Sequence, residues 1–227
     1  MIQDAFRGAP LGTTVILIHP DAKWAPGLPI AAARLLGERK ERDRFVRLVF
    51  PADAQAAWQW RDEKRRSLAR QALPRIREVS LLPWPIETVQ RWAEETGIPD
   101  GRDEIGRARL RQASGGFGPS LELLAGAPMG VGQDMLAASV GLLTRGGHMP
   151  LGDWPGTAHR ALRAVAMLVA NEEDFDADEL STAADLPRED ALRVLDWAEW
   201  LGVVHASVPG RYRLNTLVAR LLLDQPP

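Results

Sequence analysis

Two aspartates stand where a parallel sheet places its chemistry. Asp21 follows the aliphatic run Val15-Ile16-Leu17-Ile18 by way of His19 and Pro20, and Asp53 follows Phe45-Val46-Arg47-Leu48-Val49-Phe50 by way of Pro51 and Ala52. A carboxylate just beyond a buried strand lies on the side of the sheet where ligands bind. There it can hold magnesium through water beside a nucleotide phosphate, which makes Asp21 and Asp53 the nucleotide and magnesium candidates. An aspartate in front of a helix can equally cap it, and that reading stays open for both. His19 reads as a loop histidine rather than a base.

The phosphate grip that such a carboxylate would serve is missing. No Gly-x-x-x-x-Gly-Lys-Ser/Thr run occurs, and the glycine-bearing stretch 8–12 precedes a strand where a phosphate loop must follow one. No cofactor is therefore expected, and ATP-magnesium only where another chain completes the site. The absence of cysteine removes disulfide and thiolate chemistry. No catalytic set and no metal site is read from the residues.

The elements that would position the two aspartates alternate. Apolar, β-branched runs at 13–18, 45–50 and 76–82 read as strands, and 30–42 and 54–72 read as helices between them. Strand, helix, strand, helix, strand at this spacing implies parallel pairing with right-handed crossovers, so residues 1–83 are expected to form a partial α/β core with a three-stranded parallel sheet. Such a sheet leaves edges for another chain to cover. From there the pattern turns helical. Pro85 opens and Gly97 closes a helix with Ile86, Val89 and Ala93 on its core stripe; others follow through Ile105 and Leu110, Leu121 and Leu124, and Leu136 to Leu143. The proline- and glycine-bearing stretch 148–156 has linker chemistry.

Residues 157–223 read as a winged-helix unit. Leu162, Val165, Ala166 and Val169 mark its first helix, Asp176 caps a second, and Pro187 opens a third that Gly202 stops. Two short strands, 203–207 and 211–214, form a wing around Val208-Pro209-Gly210, and a closing helix follows. On the third helix, Leu192, Leu195 and Ala198 form one stripe and Val194, Trp197 and Leu201 another. One stripe fills a three-helix core, so Trp197 or Trp200 is left as the candidate partner contact, with cover of the core edge as the alternative.

A winged helix invites a DNA-binding reading, for which Arg188, Arg193, Arg211 and Arg213 are the candidates. The charges oppose it. Within 157–227, seven arginines face twelve carboxylates, leaving the segment at −5, and the third helix sets Glu189, Asp190, Asp196 and Glu199 beside its two arginines. Phosphate contacts supply most non-specific affinity, so protein contact is the expected mode and nucleic acid the alternative. The whole chain of 227 residues, 45% hydrophobic and with a net charge of −2, has room for a sizeable core and favours neither nucleic acid nor a membrane. No apolar run nears a membrane span and the first residues lack a signal-peptide pattern, so the cytoplasm is the default. Arginine and alanine in place of lysine suggest a GC-rich bacterial genome.

Three stretches resemble a known family. Ser80-Leu81-Leu82-Pro83-Trp84, a helix ending in Glu94-Glu95-Thr96-Gly97, and Ala113-Ser114-Gly115-Gly116-Phe117-Gly118-Pro119-Ser120-Leu121-Glu122 together resemble the helical lid of the AAA-like signal-transduction ATPases with numerous domains, the STAND class. In that class the lid precedes a winged helix, and the order of parts here is similar across most of the chain: α/β core 1–83, all-α lid 84–147, linker 148–156, winged helix 157–227. In those ATPases a Walker A lysine binds phosphate and a strand-end carboxylate positions magnesium. Only the second has a counterpart, Asp21. The resemblance therefore implies a degenerate or truncated, non-catalytic relative acting as a scaffold or sensor through protein contact or self-association. Inactive members of this kind occur in bacterial conflict and antiphage systems.

Overall fold

A computed structural model of the chain describes residues 14–18, 28–29, 45–66, 78–98, 103–126, 134–146, 153–168 and 173–224. The chain divides into two compact units, Met1–Val79 and Ser80–Pro227.

In the first unit, β1 (Thr14–Ile18) and β2 (Phe45–Val49) pair in parallel, with Thr14 opposite Phe45 and Ile18 opposite Val49. The chain leaves β2 through Pro51 and enters α1 (Ala54–Arg66), whose Ala54, Ala56, Ala57 and Trp60 are buried. Among the described residues the parallel sheet has two strands, not the three expected. Residues 78–82 of the expected third strand form none, and 76–77 lie outside the described residues. The apolar run that suggested a strand is turned outward: Val79, Leu81 and Leu82 are all exposed. Beyond Val79, within the second unit, the Ser80 hydroxyl donates to the Trp200 carbonyl.

The second unit is mostly helical. Its first part comprises α2 (Ile86–Thr96), α3 (Glu104–Ser114), α4 (Gly118–Gly126) and α5 (Met135–Arg145). Local rules set the boundaries. Pro85 precedes α2 and Gly97 ends it in the left-handed conformation; Asp103 caps α3 through the Gly106 amide at 2.6 Å and Asp134 caps α5 through the Leu136 amide at 3.0 Å. The apolar faces of α2, α3 and α4 meet at Val89, Ala93, Leu110 and Leu121, with Trp84, Trp92, Ile98 and Met135 packed around them.

The second part comprises α6 (Gly156–Leu168), α7 (Ala177–Ala184), α8 (Arg188–Trp200), the antiparallel hairpin β3 (Val204–Val208) and β4 (Arg211–Leu214), and α9 (Thr216–Asp224). Ala158, Leu162, Val165, Leu180, Val194, Leu195 and Trp197 form its core. Phe175, between α6 and α7, adds a third edge to the hairpin by exchanging backbone bonds with Tyr212 at 2.8 and 2.7 Å. Helix α9 then packs on α6 and also on α3 and α5, so the two parts share one interior. Among the described residues no helix is long and apolar enough to cross a membrane.

Candidate functional site

The residues singled out by sequence fall into three groups. Asp21 and His19 lie outside the described residues. Asp53 is a cap: its Oδ1 accepts from the Ala56 amide at 2.8 Å and its carbonyl from Ala57 at 2.9 Å, starting α1 directly after β2. That geometry commits one carboxylate oxygen to the backbone.

The tryptophans divide. Trp197 is fully buried and cannot present itself to a partner. Its indole meets Trp154 edge to face, ring centres 5.4 Å apart at 85°, a favoured aromatic geometry. The expectation of one filled stripe on α8 fails because this helix is covered on a wider arc: Ala191, Val194, Leu195, Trp197 and Ala198 are all buried, and it is Leu192 that faces out. Trp154, inside the expected linker, supplies part of that cover. Trp200, the last residue of α8, is half-buried, and its carbonyl accepts from the Ser80 hydroxyl.

The four arginines all face acids. Arg188 Nε lies 2.7 Å from Asp178 Oδ1, and Arg193 Nη1 lies 4.0 Å from Asp190 Oδ1, one turn back. On the hairpin, Arg211 Nη1 reaches Glu179 Oε2 at 2.9 Å and Asp176 Oδ2 at 3.3 Å, and its Nη2 donates to the Asp174 carbonyl. Arg213 Nε donates to Asp174 Oδ1 at 2.8 Å, and the Ser207 hydroxyl donates to the other oxygen of that carboxylate. These acids have backbone duties as well. Asp176 Oδ1 accepts from the Asp178 and Glu179 amides, both at 2.9 Å, while Glu179 reaches back to the Asp176 amide at 2.7 Å, closing a capping box on α7. One cluster therefore caps a helix and straps the hairpin to it. The Ser207 hydroxyl, the Arg213 guanidinium and the charge of Arg211 hold Asp174 below its ordinary range against some desolvation. The Glu179 and Asp178 amides, with Arg211, do the same for Asp176.

A second constellation joins the two parts of the helical unit. The Trp84 amide donates to the Gly116 carbonyl at 2.7 Å, so the Leu-Pro-Trp entry and the Ser-Gly-Gly turn touch. Gly115 and Gly116 both take positive φ, 62° and 77°. A Cβ at Gly115 would come within 2.7 Å of Asn215 Oδ1, and one at Gly116 within 2.7 Å of the Trp84 carbonyl and 2.8 Å of the Arg111 guanidinium. Glycine is thus required there twice, by conformation and by close approach. Asn215, buried at the start of α9, donates to the Gly115 carbonyl at 2.9 Å while its Oδ1 accepts from Leu217 at 3.1 Å. Gly202, also at positive φ, lets Pro83 pack on the turn after α8.

No family model, no curated protein and no solved structure matches this chain. The site must be judged on its own chemistry. The hairpin cluster and the turn junction are built from capping, ion pairing and close backbone approach, which position elements; among the described residues no group of three His, Asp or Glu side chains is placed to hold a metal. Sequence reasoning missed Asp174, Glu179, Ser207 and Asn215 as members of these clusters. The Asp-x-x-Glu spacing of Asp176 and Glu179 was the available signal, being a capping-box pattern.

Proposed function

We propose that the chain is a non-catalytic, STAND-like regulatory or scaffold module that acts by protein–protein contact in a bacterial conflict or antiphage setting, with 157–227 as its winged-helix part. The observation that carries this reading is the engagement of all four candidate DNA-contacting arginines by carboxylates. A surface ion pair is weak, worth about 0–1 kcal/mol, so the pairing alone would not stop an arginine from turning to DNA. The acids would remain, however, and each would stand against the incoming phosphates. Support also comes from the order of elements: a parallel strand pair and helix, a helical set, then three helices with a three-edged hairpin in the sequence helix, edge, helix, helix, hairpin. Direct contact between the Leu-Pro-Trp entry and the Gly-Gly turn fits the resemblance that rests on them.

Light scattering of the purified full chain, with and without ATP-magnesium, tests the proposal. A species heavier than 25.0 kDa that ignores nucleotide supports it. A mass that changes with nucleotide favours half of an ATPase completed by another chain. Duplex DNA binding at low salt that falls steeply as salt rises would overturn it in favour of a winged-helix regulator.

A further inference from the structure

The hairpin is fastened differently at its two ends. At its base, Val204 and Leu214 are buried opposite each other, the Asn215 amide donates to the Val203 carbonyl at 2.9 Å, and the Asn215 side chain is bonded to Gly115. Beyond that pair the support of the core ends. Successive strand residues point to opposite faces, yet His205, Ala206, Ser207 and Val208 are all exposed, so neither face of the outer part of β3 is covered. The ladder is also weakened there. A bulge interrupts the register between Ala206 and Val208, and Pro209 before Gly210 at φ 81° has the pattern of a type II turn, whose twist does not follow that of the flanking strands. A two-stranded ribbon of this kind has little stability of its own.

Charge holds the outer half in place. Arg211 reaches Glu179 at 2.9 Å and Asp176 at 3.3 Å and donates to the Asp174 carbonyl, while Arg213 and the Ser207 hydroxyl both donate to the Asp174 carboxylate. The side chains of these ion pairs are between 24% and 52% exposed, so dissolved ions reach them and screen them. Beneath the fastening lies Phe175. It is fully buried, exchanges two backbone bonds with Tyr212, and its ring centre stands 6.4 Å from that of the tyrosine.

We propose that residues 205–213 form a flap that swings on the Val204 and Leu214 base, is latched to α7 and to Asp174 by these ion pairs, and opens as ionic strength rises, separating Tyr212 from Phe175. Arg211 is the centre of the latch, since one guanidinium holds the Asp174 carbonyl, Asp176 and Glu179 together. The helix it fastens to does not depend on it: Asp176 caps α7 through its other oxygen. An open flap bares the Phe175 edge, so the latch sets how often that apolar surface meets solvent. The device stands independently of the regulatory reading above, because it rests on local bonds and exposure.

The test is amide hydrogen exchange of the full chain, read residue by residue by NMR at constant pH, in about 0.1 M and then about 1 M sodium chloride, between which the screening length falls from ~10 Å to ~3 Å. The Phe175 and Tyr212 amides, each bonded to the other's carbonyl, report the flap; the Asn215 amide, bonded to Val203, reports the base. Salt is expected to speed exchange at Phe175 and Tyr212 by about fivefold or more relative to Asn215, the factor given by one surface ion pair of the stronger kind. Arg211→Gln removes the latch and should show the faster exchange already at the lower salt, with little further response. Arg211→Lys keeps the charge without the fork and should lie between the two, still responding to salt. Were Arg211→Gln to misfold, the salt comparison in the unaltered chain decides alone. An unchanged ratio of Phe175 and Tyr212 to Asn215 in that chain overturns the proposal, because the hairpin then opens only with the whole unit, and so does a folded Arg211→Gln protein that keeps the slow exchange.

Discussion

Replacing Asn215 by alanine removes two kinds of bond with one side chain. Its Oδ1 accepts from the Leu217 amide at 3.1 Å and, more loosely, from Val218 at 3.5 Å, which caps α9. Loss of such a cap costs about 1 kcal/mol. Its Nδ2 donates to the Gly115 carbonyl at 2.9 Å, in surroundings where both residues are buried. Leaving that acceptor without a donor costs a further ~1–3 kcal/mol. Asn215→Ala is therefore expected to destabilise the helical unit by about 2–4 kcal/mol. For a cooperative unit of this size that lowers the melting midpoint by about 6–12 °C. Urea unfolding of the full chain, followed by circular dichroism at 222 nm, measures it. Asn215→Ser keeps a capping oxygen and loses the reach to Gly115, so it should retain roughly the capping part, about 1 kcal/mol. If Asn215→Ala stays within about 0.5 kcal/mol of the unaltered protein, the range of a neutral surface change, the junction is not held as described.

Gly116→Ala meets both positive φ and the Trp84 carbonyl, whereas Gly97→Ala, at φ 72°, meets open space; the second should cost only the ~1–2 kcal/mol of the left-handed conformation and the first clearly more, and equal costs in urea unfolding would show that the close approach is not real. Trp197→Ala should cost about 3–5 kcal/mol as a core truncation, and a loss below that of Trp200→Ala would contradict its burial. Stability should fall with acidification in two stages. His205, Asp174 and Asp176 all have folded pKa values below their ordinary ones. Each binds fewer protons folded than unfolded, so its contribution is complete above the ordinary value and disappears as pH falls through the folded one. The first stage begins just under about pH 6.5 and the second under about pH 4. Urea midpoints measured across that range should show both, Asp174→Asn should flatten the second, and a profile flat down to pH 3 would refute the assignment.

Much of the fold was legible because local signals fixed it. Asp176 caps α7 as its place before the helix implied, Gly97 closes α2, and Arg211 to Leu214 is a strand whose start is set by the turn at Pro209-Gly210. What failed depends on distant partners. Residues 76–82 carry the apolar Ile76, Val79, Leu81 and Leu82, and so short a pattern cannot by itself say whether it lies in a sheet or across another surface; here Ser80 and Trp84 are bonded to Trp200 and Gly116, far along the chain. Trp197 or Trp200 was the candidate partner contact, with cover of the core edge as the alternative, because a three-helix core needs one stripe; for Trp197 it is the cover that holds, with Trp154 arriving from the preceding loop against its ring. Phe175 sits in a stretch that reads as an acidic break, and a single residue that pairs with Tyr212 has no periodicity to announce it. The arginines were read by position, and their engagement by Asp174, Asp176, Asp178 and Glu179 could not be, since most partners lie ten or more residues away.

The attachment of residues 80–84 has a mechanical consequence. Val79 closes one unit, and Ser80, the first residue of the next, is already bonded to the Trp200 carbonyl, with Pro83 seated on Gly202 and Trp84 bonded to Gly116. Tension on the chain ahead of Ser80 would be felt first at the turn after α8 and at the Gly-Gly turn, two points that together join the parts of the helical unit. The segment enters like a drawstring through the seam rather than a tether tied to the outside.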